Sequence, residues 1–455
     1  LLTSMLIAAC GNAYKGKAAR PDSAPAVSIA DLKNAASDPG VRTFYSKDNW
    51  QPVWDDANEK ALHDELAHRA EHGLDRVVFL TTADGGSPAS RETSLTRAAL
   101  GYAAALAHGL ADPTGLHDVY TVPRPDPDLA SGLAQALDDN KLKEWLESLA
   151  PHDAEYHALS QVYQQMRQAG HDNTGAGIPT NGGLVHSGES DPRVPRVAAA
   201  LRSLGYLGEQ SGASGNRYTP AMADAVSKFQ QDSGLGSDGI LGPNTVSALN
   251  SAPSDRARAA AVALERRRWL ERNPPKTRID VNIASEILTY DRDGQTESTR
   301  AVIDGQPGWE TPQLQAQFYR LVANPTWTVP KHIEDKQMGN VSAAYLQSHN
   351  MVRKDGFIVQ QSGPDNALGL VKFDLDDHYA IYLHDTPEKS LFQHDARHRS
   401  HGCVRVQNAL DFAQQIAGDE QIADEGQRAR AKGDETFVKL PQPITVRLLY
   451  HRAWA

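Results

Sequence analysis

Residues 400–406 read Ser400-His401-Gly402-Cys403-Val404-Arg405-Val406, and this stretch decides the fold and the chemistry of the C-terminal half. Upstream of it, a short run of β-formers ends at His384. A cysteine nucleophile needs a base to manage its proton, and histidine is the natural partner. Because a strand end and a polar loop meet easily across a sheet edge, we expect His384 and Cys403 to lie together.

The residues that flank Cys403 suit acyl transfer. Gly402 would let backbone N–H groups approach an oxyanion that a bulky side chain would obstruct. If the stretch is extended, Arg405 lies on the same face as Cys403, where its guanidinium could bind a substrate carboxylate bidentately.

A zinc site and a buried, inert cysteine are the alternatives to a nucleophile. Zinc ligands would be drawn from His384, His394, His398, His401 and Cys403. A bound zinc would hold the thiolate and leave His384 without a role, and no Cys-x-x-Cys pair is present. An inert cysteine would not explain the glycine before it or the arginine two residues after it. We expect His394 and His398 to be loop residues that face solvent.

The composition is that of a globular protein with several domains. The chain has 455 residues, of which 40% are hydrophobic and 23% charged, and its formal net charge is −11. This length suits about two to four domains. The acidic balance argues against nucleic acid as a partner. The two cysteines, Cys10 and Cys403, are too few for a disulfide framework or a four-thiolate zinc site.

Composition and periodicity predict a multidomain α+β protein. Apolar residues at helical spacing predict a helical domain over 41–168, and a Gly-, Asn- and Ser-rich linker follows over 169–192. A compact helical unit spans 193–252. An arginine-rich connecting helix, which we expect to present a solvated face, lies within 253–275. The remainder, 276–455, is predicted to be mainly β.

The β-rich half is predicted from short runs of β-branched and aromatic residues. One helix is evident there, near 408–417. The predicted strands are 279–283, 287–290, 299–303, 320–323, 380–383 and 444–450.

Two parts of this sequence resemble known families. His384 together with Ser400-His401-Gly402-Cys403-x-Arg405 resembles the signature of the L,D-transpeptidases, whose catalytic domain is of the YkuD type. Residues 193–252 resemble a three-helix peptidoglycan-binding domain, through the Gly-Leu-x-x-Asp-Gly-Ile-Leu-Gly-Pro-x-Thr run of 234–245. With a helical N-terminal scaffold, the chain resembles the large members of the family that carry such an inserted domain. Their cap over the site would fall at about 331–365, which is irregular and polar here.

The resemblance implies a role for each residue of the candidate site, and no metal or organic cofactor. Cys403 would be the nucleophile and His384 the general base and acid, oriented by the backbone carbonyl of Asp385 or its neighbour. Support for the loop and the oxyanion site would come from Ser400, His401, Gly402 and Asp385. Substrate would be bound by Arg405, Tyr382 and Trp327.

The resemblance also implies the reaction. Cys403 would attack the third residue of a donor tetrapeptide stem in peptidoglycan, release D-alanine and leave a thioester. The side-chain amine of an acceptor stem would then resolve this thioester into a 3→3 cross-link. Water as acceptor would make the protein an L,D-carboxypeptidase, and a group on another protein is a third acceptor. The alternative from another class is a wall-binding lipoprotein without activity.

The N-terminal residues are expected to target the chain for export and to anchor it to a membrane. Residues 1–10 begin without methionine and resemble the end of a signal peptide with a bacterial lipobox, Ile7-Ala8-Ala9-Cys10. Cys10 would then carry the lipid, and Gly11 favours an outer-membrane anchor. Residues 11–40 would be a linker leading away from it. We therefore expect a periplasmic or otherwise extracytoplasmic location.

Overall fold

The computed structural model describes residues 27–47, 49–81, 86–172, 177–208, 215–233, 235–250, 253–339, 341–394 and 396–451. The predicted signal remnant and its Cys10 lie outside these ranges. Within them, no helix is both long enough and apolar enough to cross a membrane.

The N-terminal domain consists of helices around one apolar core. Its central helix is α4, whose Leu95, Tyr102 and Leu106 are buried among the others. Ser87 caps α4 by accepting a hydrogen bond from the Ser90 N–H. The helices are α1 (Ile29–Ala35), α2 (Pro39–Lys47), α3 (Asp56–Ala67), α4 (Pro88–His108), α5 (Leu129–Asp138), α6 (Leu142–Leu149) and α7 (Ala154–Asp172). Since α1 falls within 11–40, the linker predicted there ends earlier than expected.

The second unit is a small three-helix bundle comprising α8 (Val194–Ser203), α9 (Pro220–Asp232) and α10 (Pro243–Asn250). The buried side-chain amide of Gln230 connects α9 to the start of α10 and to the loop between them. It donates to Thr245 Oγ1 at 3.0 Å and accepts the Gly239 N–H at 2.8 Å. Part of the predicted linker belongs to this unit, because Ile178 and Val185 are buried in its core.

The connecting helix α11 (Pro253–Arg268) packs against α7. The expectation of a solvated arginine face is wrong. Arg268 is 1% exposed and donates to the His72 carbonyl at 2.8 Å and to the Tyr156 hydroxyl at 3.0 Å. Arg267 pairs with Asp153 at 2.8 Å. Arg267 and Arg268 therefore fasten this helix to the helical domain.

The C-terminal domain is a closed barrel with the strand order β1-β11-β4-β8-β9-β10-β3-β2. Inward-facing apolar residues alternate with outward-facing polar ones along these strands, as a closed sheet requires. The strands are β1 (Arg278–Asn282), β2 (Ile287–Arg292), β3 (Gln295–Ile303), β4 (Leu314–Ala323), β8 (Val371–Asp376), β9 (Leu383–His384), β10 (Val404–Val406) and β11 (Thr436–Leu449). Two helices cover the barrel, α14 (Ala409–Asp419) and α15 (Ala423–Ala431), where one was predicted.

The predicted strand at 380–383 is shorter in the structure. Ala380 has a φ of 56°, in the left-handed region, which an extended strand cannot accommodate. The Tyr379 and Ile381 N–H groups both donate to the Asp377 carboxylate, at 2.6 and 3.2 Å. The chain therefore turns here and becomes a strand only at Leu383.

The segment predicted to be irregular at 331–365 has its own small fold. A three-stranded sheet has the order β5-β7-β6, with β5 at Trp327–Thr328, β6 at Met351–Lys354 and β7 at Phe357–Gln360. Two short helices, α12 (Lys331–Ile333) and α13 (Ala343–Ser348), accompany it. Its core contains Val329, Ile333, Met351 and Ile358, with Trp309 and Trp327 packed against it. We call this unit (327–360) the cap.

Candidate active site

The strands of the barrel bring together the segments that carry the predicted histidine and the predicted nucleophile. β9 and β10 are parallel, with Leu383 opposite Val404 and His384 opposite Arg405. Leu383 and Val404 are fully buried in the barrel core. Because side chains alternate along a strand, His384 and Arg405 lie on the opposite, outer face. Cys403 immediately precedes β10, so it enters this face from the loop.

His384 is held as a neutral imidazole by burial and by its neighbours. Its ring is 5% exposed, and its Nδ1–H donates to the Asp385 carbonyl oxygen at 2.5 Å. Lys372 and Arg405 are its cross-strand neighbours on the two sides. Burial is the main cause that lowers the pKa of His384 to about 3, and the two cations lower it further. The hydrogen bond to the Asp385 carbonyl acts in the opposite direction and raises it. The bond to Nδ1 leaves Nε2 as the basic nitrogen.

The Cys403 thiol is half-buried and also held in its neutral form. Its Sγ–H donates to the Ala380 carbonyl oxygen at 3.7 Å. Burial raises the pKa of Cys403 to about 11, although hydrogen bonds from Tyr382 act in the opposite direction. The two pKa shifts favour the neutral thiol and the neutral imidazole over a thiolate–imidazolium pair.

Tyr382 links the thiol, the histidine and the cap. The Tyr382 ring lies 5.7 Å from the His384 ring, centre to centre. Burial and the facing Cys403 raise the pKa of Tyr382 well above its usual value, whereas a hydrogen bond with Trp327 lowers it. An indole can only donate, so Trp327 presents its N–H to the tyrosine oxygen. Of the two aromatic residues predicted to bind substrate, Tyr382 thus lies beside the thiol and Trp327 contacts Tyr382.

The loop before Cys403 is fixed by hydrogen bonds through two hydroxyl groups. Ser400 Oγ donates to the Cys403 carbonyl at 2.6 Å and accepts the Gly402 N–H at 3.1 Å. Thr311 Oγ1 donates to the Gly402 carbonyl at 2.8 Å and accepts the Gly305 N–H at 2.9 Å. Gly402 has a φ of 112°, which favours glycine. Since its N–H is already bonded to Ser400, the glycine shapes the loop and its own N–H is not a free oxyanion donor.

His401 faces the cap. Its ring makes an edge contact with the Trp309 ring, with centres 4.9 Å apart. On the other side, His332 of the cap stacks on Trp309 at 5.1 Å, and the Lys336 ammonium lies 4.5 Å from the indole centre. Burial, Arg405 and His332 all lower the pKa of His401. Trp309 therefore contacts both the cap and the segment 397–403. We call this segment the nucleophile loop, after the predicted role of Cys403.

Arg405 is paired within the protein. Its guanidinium donates to Glu388 Oε2 at 2.5 Å, and its side chain is 17% exposed, compared with 59% for Glu388. A substrate carboxylate would have to replace this exposed partner.

Asp385 supports the histidine through its backbone and its side chain. Its buried carboxylate accepts the Leu370 N–H at 3.0 Å and binds the Lys389 ammonium. Its backbone N–H donates to the Val371 carbonyl at 2.9 Å. These contacts fix the peptide whose carbonyl orients His384.

The described residues do not bring the zinc ligands considered above together. In the ranges described, the group of side chains close enough to hold a metal is Glu286, Asp304 and His398, whose ligand atoms lie within 4.8 Å of one another. His398 faces solvent as expected, with a side chain that is 41% exposed, and its Nδ1 also bonds to Asp304. Its Nδ1 lies within ion-pair distance of both carboxylates, and the Arg397 guanidinium adds a positive charge beside Glu286. This group is therefore an ion-pair cluster and not a metal site.

Thr311, Trp309, Lys372 and Glu388 belong to the site and were not identified from the sequence. Thr311 and Trp309 reach the nucleophile loop from about 90 residues away in the chain, and no local pattern marks such contacts. Lys372 lies on a strand that was not predicted, where it is opposite His384.

Three family models match this chain. Residues 276–438 match the model described as "L,D-transpeptidase catalytic domain", of the YkuD family. Residues 39–162 match a scaffold domain, and residues 190–249 match a domain described as "Putative peptidoglycan binding domain". The recognition made on the Cys403 motif is thus confirmed.

A protein of Haemophilus influenzae named "Putative L,D-transpeptidase" is 34% identical over 158 residues. The aligned region covers 30% of this chain and 32% of that protein, so the match spans about a third of the relative. Among solved structures, an L,D-transpeptidase from Stackebrandtia nassauensis is 14% identical and covers 62% of this chain and 100% of its own, with a TM-score of 0.24. One from Xylanimonas cellulosilytica is 18% identical and covers 59% and 99%, with a TM-score of 0.21. These structural similarities support no further inference.

Proposed function

We propose that this chain is a peptidoglycan L,D-transpeptidase in which Cys403 is the nucleophile and His384 the general base and acid. One observation carries the proposal: the His384 ring bonds to the Asp385 carbonyl through Nδ1. This contact leaves Nε2 as the nitrogen that can accept a proton. His384 lies on the outer face of β9, beside the strand that Cys403 precedes. The L,D-transpeptidase domain supplies the reaction class.

The two shifted pKa values support a reaction that begins from the neutral pair. As Sγ forms its bond to the carbonyl carbon of the donor stem, the thiol proton passes to His384 Nε2. Collapse of the tetrahedral intermediate breaks the amide C–N bond, and His384 returns the proton to the departing D-alanine amine. The product is a thioester on Cys403.

The acceptor amine then takes the place of the leaving group. It loses its proton to His384 and attacks the thioester carbonyl, the C–S bond breaks, and the thiol regains a proton. The product is a 3→3 cross-link between two stems. Water in place of the amine gives L,D-carboxypeptidase activity. Arg405, released from the exposed Glu388, is the group available to a stem carboxylate.

The remaining domains suit an enzyme that works on the wall. We propose that residues 193–252 hold the sacculus, because that bundle matches a peptidoglycan-binding model. We further propose that the chain is an extracytoplasmic lipoprotein anchored through Cys10, which the sequence Ile7-Ala8-Ala9-Cys10 supports. If Cys10→Ala leaves the protein in the same membrane fraction as wild type, the anchor is refuted.

Incubation of the full chain with a disaccharide-tetrapeptide tests the reaction. Wild type should release D-alanine and form dimers, while Cys403→Ala should do neither and still sediment with purified sacculi. His394→Ala is the matched control, since His394 is an exposed histidine on the same loop. Sedimentation of wild type without any turnover would favour the non-catalytic wall-binding lipoprotein.

A further inference from the structure

Two buried acids, Glu286 and Asp304, form a cluster with His398 in the segment that precedes Cys403. His398 Nδ1 contacts Asp304 Oδ1 and lies 3.3 Å from Glu286 Oε1. Both acids are buried, Asp304 completely, whereas the His398 side chain is 41% exposed. An ionised carboxylate can only accept, so the imidazole carries its hydrogen on Nδ1.

The cluster is tied to the loop at several points. The Arg397 N–H donates to Glu286 Oε1 at 2.5 Å, and the Arg397 guanidinium donates to the Val302 carbonyl at 3.0 Å. The Asp304 carbonyl accepts the Arg399 N–H at 2.9 Å and the Ser400 N–H at 2.7 Å. Asp304 therefore holds His398 through its side chain and residues 399 and 400 through its backbone.

Further hydrogen bonds connect this cluster to Cys403. Ser400, held by the Asp304 backbone, bonds to the Cys403 carbonyl and to the Gly402 N–H. Displacement of residues 398–400 would thus move the peptide that carries Sγ. Asp304 Oδ2 is buried and has no hydrogen-bond partner in the described part of the chain. Burial accordingly raises the pKa of Asp304 to about 6 and also raises that of Glu286, and His398 opposes both shifts.

We infer that His398, Asp304 and Glu286 are positioning residues that clamp the nucleophile loop and set where Cys403 lies relative to His384. His398 is the exposed member that closes the clamp. The inference rests on the proposed function, because it takes Cys403 as the reacting atom. It assigns the cluster no contact with substrate.

The test compares His398→Ala with His398→Asn. An asparagine amide nitrogen stands close to the position of Nδ1, so His398→Asn keeps the donor to Asp304 that His398→Ala removes. Amide hydrogen exchange of peptides covering residues 397–405 should be about tenfold faster in His398→Ala, as expected for loss of a charge-assisted bond that is partly screened by solvent. His398→Asn should restore most of the protection, and His394→Ala should match wild type.

Turnover and alkylation separate positioning from a general structural effect. In His398→Ala, kcat should fall about tenfold or more with KM nearly unchanged, because binding groups such as Arg405 are untouched. The rate at which iodoacetamide alkylates Cys403, read by peptide mass spectrometry, should change in the same variant and recover in His398→Asn. If wild type shows no turnover, the proposed function fails, while exchange and alkylation still report on the clamp.

Two results would overturn the inference. One is exchange, alkylation and kcat in His398→Ala that equal those of wild type. The other is stabilisation of the wild-type loop by added Zn²⁺ that is absent in His398→Ala, which would make the cluster a cation site instead of a self-contained clamp.

Discussion

Replacement of Thr311 by valine should loosen the nucleophile loop without touching any group proposed to react. The side chain of Thr311 is 6% exposed, and its hydroxyl joins two backbone groups that face each other across the barrel rim. It accepts the Gly305 N–H and donates to the Gly402 carbonyl. Valine has nearly the same shape and cannot do either.

The magnitude follows from those two bonds. Each buried backbone group left without a partner costs about 1–3 kcal/mol, so the two together cost about 2–6 kcal/mol. The added methyl group contributes up to about 0.8 kcal/mol in the opposite direction. We expect a net loss of about 1–5 kcal/mol in the free energy of opening the loop, which is about a fivefold or greater increase in the open population.

Pulse alkylation in urea, with peptide mass spectrometry at Cys403, measures that opening. A local readout is needed because a single melting temperature is not well defined for a chain of several domains. Thr311→Ser is the control, since it keeps the hydroxyl. An opening free energy for Thr311→Val within about 0.5 kcal/mol of that for Thr311→Ser would refute the role given to these two hydrogen bonds.

Three further changes test other parts of the account. Glu388→Gln should lower KM for the donor stem several-fold, because Arg405 loses the partner that competes with a substrate carboxylate; an unchanged or higher KM in steady-state kinetics would contradict this. Tyr382→Phe removes a hydrogen bond that lowers the pKa of Cys403, so the pH profile of thiol alkylation should move to higher pH, and a shift to lower pH would contradict it. Gln230→Leu leaves buried polar groups unpaired in the small bundle, at a cost of about 2 kcal/mol or more. Limited proteolysis should then cut residues 193–250 faster than in wild type, and equal rates would argue against it.

The pairing of the segments that carry His384 and Cys403 could be predicted because each segment has a local signal. A run of β-formers marks the strand before His384, and glycine marks the loop before Cys403. Parallel pairing of two short strands then suffices to bring them to one face. The helical domain and the small bundle were predictable for the same reason, since helical periodicity is local.

Contacts between distant segments could not be predicted in this way. The cap has short strands at 351–354 and 357–360, and its core depends on Trp309 and Trp327 from outside them. Arg268 lies in a run that is typical of a solvated face, but its neighbours on α7 bury it. The exposure of His398 could be predicted, but its bond to Asp304 could not, because Asp304 lies far away in the sequence.

The measurement that tests the central claim most directly is intact-protein and peptide mass spectrometry after brief incubation with a donor tetrapeptide. The account predicts a mass increase equal to the donor stem without its terminal D-alanine, located on Cys403 as a hydroxylamine-labile thioester. His384→Gln should form this adduct far more slowly, and Cys403→Ala should not form it. Release of D-alanine by wild type without an adduct on Cys403 would contradict this mechanism. Full activity of Cys403→Ala would contradict it as well.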